Sequence, residues 1–257
     1  MIVLSYGMTK SGSTLAFELC KAILEKRGFA QRRLPDEVVT PGHHINFLQE
    51  VSVVGLQALL KEVAQGEFVA IKLHTGLRQP EADFIGQQIS AGTIKLHVNF
   101  RDPREVCLSL VDAGAKAREK QRQAFSEIVT LSDAANAVKR QLNICRRWGS
   151  IEGALPLFYN QVAFETGAAI ERICADFGFP MFDQPTCAEL MAPLFGETFT
   201  QKNKAVKDRY KDDLTVRQNE MLLDQIPGVR PFINRVCEQG DYSWFSQIRR
   251  GATEEVV

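Results

Sequence analysis

No stretch of this sequence approaches the roughly 20 apolar residues that a membrane-spanning helix requires, so no membrane span is expected. The apolar run 2–6 meets Lys10 soon after and is too short for a signal peptide's core. Ile2 stands where myristoylation needs glycine, and no C-terminal cysteine box is present. Together these absences predict a cytoplasmic protein without a membrane partner. There is also no excess of charge of either sign: Lys plus Arg and Asp plus Glu both total 31. Without an overall field, binding to nucleic acid is not expected, and any phosphate chemistry must be local. The six cysteines (Cys20, Cys107, Cys145, Cys174, Cys187, Cys237) form no CxxC pair and have no histidine at metal-ligand spacing. Neither a structural metal nor a disulfide framework is therefore expected. Internal repeats and low-complexity linkers are missing too, so 257 residues at 45% hydrophobic composition read as one domain over 1–250 with a frayed tail at 251–257.

What is there is an alternation of two periodicities. Short β-rich runs at 2–6, 68–74, 93–100 and 154–159 predict four strands. Between them, apolar residues recur at helical spacing, beginning with Leu15, Leu19, Ala22 and Ile23. Asp102 and Pro103 mark a helix start, since an aspartate caps orphan amides and proline suits the first position. One or two helices are predicted within 119–148, and Thr166 is read as the cap of a helix that stops at Gly178. Strands separated by crossover helices pair in parallel, which predicts an α/β fold with a central, mainly parallel sheet flanked by helices. The region 28–66 is irregular, and 42–47 reads as a loop beside a site.

The first strand runs into GMTKSGST at 7–14, a glycine- and hydroxyl-rich turn feeding a helix N-terminus, which offers amides and a positive dipole end to an anion. Gly7 and Gly12 hold Walker A spacing, yet Ser13 stands where that motif needs lysine, and the lysine is Lys10. TKSGSTLAFEL resembles the 5′-phosphosulfate loop of the sulfotransferases, usually PKSGTTW or a near variant, on a P-loop-like fold. The resemblance implies that Lys10, Ser11, Gly12, Ser13 and Thr14 hold the phosphosulfate, with Lys10 at the oxygen bridging phosphorus and sulfur. Leu15 replaces the tryptophan that often stacks on the adenine, so that stacking needs another side chain or is weaker.

Three later stretches resemble the same family in the family's order. VNFRDPREVCLSL (98–110) is similar to its 3′-phosphate element RxPxxxxxS, which implies phosphate contacts from Arg101 and Ser109. IKLHTG (71–76) resembles the KTH or KSH tripeptide, and strand alternation turns Lys72 and His74 to one face. His97, by contrast, reads as an ordinary structural histidine. LPLFYNQ (155–161) places Tyr159 where the family has a tyrosine beside the adenine, although Asn160 and Gln161 replace customary acids. A fourth stretch, the basic run 201–215, resembles the family's C-terminal segment that closes over the 3′-phosphate, with Lys204 aligning best with the family lysine and Arg209 a looser candidate.

The implied donor is 3′-phosphoadenosine 5′-phosphosulfate (PAPS), with adenosine 3′,5′-bisphosphate (PAP) as product and no metal. His74 would take the acceptor's proton, Lys10 would neutralise the leaving phosphate, and Lys72 the sulfuryl oxygens. His43 and His44 are rival bases. A Mg-ATP-dependent small-molecule kinase and a non-catalytic nucleotide-binding protein stay open as alternatives, and the acceptor and oligomeric state are not specified.

Overall fold

Hydrogen-bonded pairing joins five strands into one open, wholly parallel sheet in the order β2-β3-β1-β4-β5. They are β1 (Ile2–Gly7), β2 (Phe47–Leu48), β3 (Val69–Leu73), β4 (Ile94–Phe100) and β5 (Leu155–Phe158). The computed structural model describes residues 1–195 and 206–250. Lys204 and the tail 251–257 lie outside the described residues. After β1 the chain moves outward to β2 and returns through β3, then crosses β1 to lay down β4 and β5. That reversal opens the crevice of an α/β sheet at the carboxyl end of its central strand.

Helices cover both faces. On one, α1 (Ser13–Lys26), α7 (Thr166–Phe177) and α8 (Gln184–Phe195) meet through Leu15, Leu19, Ile23, Ile170 and Ile173. On the other, Ile2, Leu4 and Tyr6 pack with α2 (Val53–Glu62), α3 (Gln79–Ser90), α4 (Pro103–Glu119) and α5 (Leu131–Gly149). Tyr6 stacks on Trp148 with centroids 5.2 Å apart, and the indole donates to the Thr75 carbonyl at 3.0 Å. Parallel strands covered on both faces need apolar side chains in both directions, which explains their continuous hydrophobic runs. The Asp102 cap forms as expected, accepting from the Arg104 amide at 2.9 Å with Pro103 opening α4. Beyond β5 follow α6 (Tyr159–Phe164), α7, α8, α9 (Tyr210–Asp213), α10 (Val216–Gln225) and α11 (Val229–Pro231). A wider-turn stretch Phe232–Glu238 and a 3-10 stretch Tyr242–Arg250 end the described chain.

Two expectations change, and one resolves to its smaller count. The irregular region 28–66 holds a fifth strand and a helix: β2 pairs Phe47 and Leu48 with Lys72 and Leu73, and Ser52 caps α2 by accepting from Gly55 at 3.1 Å. Two residues are too few for a periodicity, so β2 exists through its partner alone. Thr166 is the first residue of α7, not its cap, because its hydroxyl donates back to the Val162 carbonyl of α6 at 2.8 Å. The span 119–148 holds one new helix, α5, opened by the reciprocal Thr130–Asp133 capping box.

Candidate active site

The loop 7–14 owes its shape to Ser11. Its hydroxyl lies 2.6 Å from both the Met8 carbonyl and Asn99 Oδ1, while Asn99 Nδ2 donates to Leu157 at 3.2 Å. The Ser11 amide donates to Met8 at 3.1 Å, so both donors of this residue are spent within the scaffold. Gly12 has φ 80, and a Cβ there would lie 2.4 Å from the Tyr159 ring. Both the backbone conformation and the close approach therefore demand glycine. Lys10 adopts φ 67 without that excuse, a strain of the kind concentrated at functional sites. Ser13 and Thr14 open α1, whose first amides have no intrahelical acceptor and which no side chain caps. Leu15 belongs to the core between α1 and α7, so this position offers no face to an adenine.

The end of β3 is bound to this loop twice. Lys72, buried, donates from Nζ to Thr14 Oγ1 at 2.5 Å. His74 Nδ1 lies 2.6 Å from the Gly7 carbonyl. A carbonyl only accepts, so Nδ1 carries the proton and Nε2 is left with the lone pair. Burial lowers the Lys72 ammonium to about 8. Burial also lowers His74 to about 4, the Gly7 carbonyl opposing and Lys72 assisting, which keeps the imidazole neutral near pH 7. Phe47 lies 6.1 Å from His74 and His43 a further 4.6 Å from Phe47, ring to ring. His43 is thus two rings from the loop that His74 touches directly, and His44 is exposed.

Arg101 follows β4 and is 8% exposed. Its guanidinium lies 4.1 Å over the Tyr159 ring, and Nη2 donates to Glu105 Oε2 at 2.6 Å. Its Nε is buried without a hydrogen-bond partner among the described residues. Such a donor is costly to leave unmade and is the natural place for an anionic ligand. Ser109 sits buried two turns along α4. Lys10 reaches toward the same region, its ammonium 5.7 Å from the Phe125 ring. Burial, then Lys116 and Arg101, push the Lys10 pKa down, with Asp112 pulling the other way. The cations converge around the loop, the arrangement expected of an anion site. Among the described residues no group of three or more His, Cys, Asp or Glu side chains is placed to hold a metal.

Arg209 is spent differently from the expectation. Nη1 donates to Asp112 at 2.6 Å, which anchors its segment to α4, and Nε bonds to Asp213 within the segment itself. Asn99, Glu105, Asp112 and Phe125 were not singled out by the sequence. Asn99 alone gave a signal, as a polar residue inside an apolar strand.

No family model matches the sequence, and no curated protein matches it either. Solved structures do. Mouse sulfotransferase SULT7A1 complexed with PAP superposes with TM-score 0.54 at 12% identity, over 98% of this chain and 88% of that one. Retinol dehydratase in complex with androsterone and the inactive cofactor PAP gives TM-score 0.50 at 17% identity, over 89% and 80%. The chain has the sulfotransferase fold. In that fold the loop 7–14, the end of β3 and the β4–α4 junction all open onto the carboxyl edge of one sheet. Among the described residues no helix is long and apolar enough to cross a membrane.

Proposed function

We propose that this protein is a sulfotransferase that moves a sulfuryl group from PAPS to a hydroxyl or amine acceptor. The observation that carries this reading is the double tie between β3 and the loop: Lys72 on Thr14, and His74 held by Gly7 with Nε2 as acceptor. An ammonium and a neutral base thereby share one anion-binding cleft. Both neighbours of this fold were crystallised with PAP, which supports the choice of donor.

PAPS supplies an activated sulfuryl group, and the residues do the rest. Gly12, Ser13 and Thr14 present the opening amides of α1 to the 5′-phosphate, with Ser11 fixing the loop's shape. Arg101 offers its unpaired Nε–H to the 3′-phosphate, Ser109 lies further along α4, and Tyr159 supports Arg101 from beneath. In the transfer, the acceptor atom bonds to sulfur as the bond from sulfur to the bridging phosphate oxygen breaks. The electron pair stays on that oxygen beside Lys10, Lys72 faces the sulfuryl oxygens, and the acceptor's proton passes to His74 Nε2. Positioned charge of this kind can replace a metal in displacement at a phosphate or sulfate centre. Arg209 serves as an anchor, and Lys204 remains a candidate for covering the 3′-phosphate.

The test is calorimetric titration with PAP, adenosine 5′-monophosphate and ATP, each with and without Mg²⁺. Binding that needs the 3′-phosphate and ignores Mg²⁺ is expected. Preference for Mg-ATP would replace the proposal with a kinase, and silence toward all three would mark a fold that has lost the activity.

A further inference from the structure

Glu105 joins two parts of the molecule, the end of β4 and the segment that opens α9, through a single side chain. It stands in the first turn of α4, 3% exposed. Oε2 accepts from Arg101 Nη2 at 2.6 Å, and Oε1 accepts from the Tyr210 amide at 2.8 Å. Tyr210 opens α9, in a segment that is further held by its ring under the Arg104 guanidinium at 3.6 Å and by Arg209 on Asp112. Arg101 is therefore fixed at two points, Tyr159 setting the plane of its fork and Glu105 its rotation in that plane. The remaining Nε–H is buried and points to no partner among the described residues.

We propose that Glu105 is a positioning residue that couples the orientation of Arg101 to the docking of residues 206–214 on α4. This rests on the reading of Arg101 as a ligand of the nucleotide's 3′-phosphate. A carboxylate with both oxygens engaged cannot release one partner without disturbing the other. Burial drives the Glu105 pKa up, while Arg101 and the Tyr210 amide oppose it, so each partner helps keep the carboxylate charged for the other. Coupling of this kind is reciprocal. If the docked segment improves the phosphate's hold on Arg101, a bound phosphate must protect the segment from opening by the same factor. Glu105 touches no nucleotide in this scheme and acts wholly through Arg101.

The experiment uses the full chain as wild type, Glu105→Ala and Glu105→Gln. Affinities for PAP and adenosine 5′-monophosphate are measured by calorimetry, and hydrogen exchange is followed in peptides spanning 206–214. Glu105→Ala is expected to weaken PAP roughly 10- to 100-fold, the range lost with a charge-assisted hydrogen bond, and to change the monophosphate less than about twofold. Exchange across 206–214 should quicken in this variant, and PAP should no longer slow it. Glu105→Gln keeps one acceptor oxygen and the side chain's shape, so it should fold and give an intermediate loss. Equal weakening of both nucleotides would reveal a merely structural role and overturn the coupling. So would wild-type selectivity and wild-type exchange in both variants. A wild-type protein indifferent to the 3′-phosphate would instead overturn the donor reading and the coupling together.

Discussion

Two histidines of the sheet, one just beyond β3 and one on β4, show what separates the imidazole proposed as a base from one tied into the scaffold. His97 is 1% exposed, its Nε2 is 3.1 Å from Asp176 Oδ2, and the ring lies 5.4 Å from Phe177. Asp176 also takes Lys95 at 3.2 Å, so the imidazole is tied into a polar cluster beneath α7, its buried Nδ1 without a partner among the described residues. His74 is held instead by a backbone carbonyl of the loop 7–14, with a lysine two residues earlier tied to the same loop. The Asp176 carboxylate occupies the Nε2 of His97. A carbonyl partner fixes the tautomer while leaving a neutral lone pair for a substrate proton. Placement at a strand end, where His74 is only half-buried, distinguishes the two.

Replacing His74 should sharpen that contrast most. His74→Ala is expected to lower turnover by about 10² to 10⁴, the usual worth of a general base, with PAP affinity nearly unchanged. Steady-state kinetics beside calorimetry on the same preparation decides it. Turnover retained in His74→Ala but lost in His43→Ala would move the base to the outer ring of the His74–Phe47–His43 line.

The matching change at His97 should act on stability instead. Removing it leaves Asp176 with Lys95 alone and opens a gap beside Phe177. An expected cost is on the order of 1–3 kcal/mol, read as a lower denaturation midpoint. Turnover per folded molecule should stay within about twofold of wild type, because no contact of His97 reaches the loop 7–14. A large fall in turnover with the midpoint unmoved would erase the division between the two histidines.

Much of this site was legible because its residues sit at punctuation marks of the chain. Lys10 and Gly12 lie in a turn, Lys72 and His74 at a strand's end, and Arg101 at a strand-to-helix junction, where sequence and geometry are tied by local rules. The alternating runs gave four of five strands within a residue or two at each end. Long-range pairing escaped it. Glu105 stands at an unconstrained place in RxPxxxxxS, and only its contacts with Arg101 and Tyr210 reveal it. Phe125 arrives over Lys10 because the loop 120–130 folds onto α4 at Gly114, where a Cβ would meet the Ile128 carbonyl at 2.0 Å. Arg209 looked like one more cation in a basic run until its two carboxylates were in view.

The smallest effect concerns pH, and it sets the charge of Lys72 in turnover against its part in stability. Lys72 stands at about 8 and His74 at about 4 in the folded protein, against ordinary values of 10.5 and 6.5. With PAPS varied, kcat/KM should therefore fall as pH rises through about 8, where Lys72 loses its charge, and fall again as pH drops toward about 4, where His74 gains one. Between about 8 and 10.5 the unfolded chain holds a proton on Lys72 that the folded chain has released, so this group makes stability rise with pH. The contribution of Lys72 to stability thus rises across the window in which activity falls, so a denaturation midpoint that holds through that window marks lost charge, not unfolding, as the cause of the loss. Lys72→Arg carries a charge that persists beyond pH 12 and should push the upper limb out of the measurable range while lowering the plateau. An upper limb unmoved in that variant would assign the titration to Lys10, whose ammonium burial and the neighbouring Lys116 and Arg101 also depress.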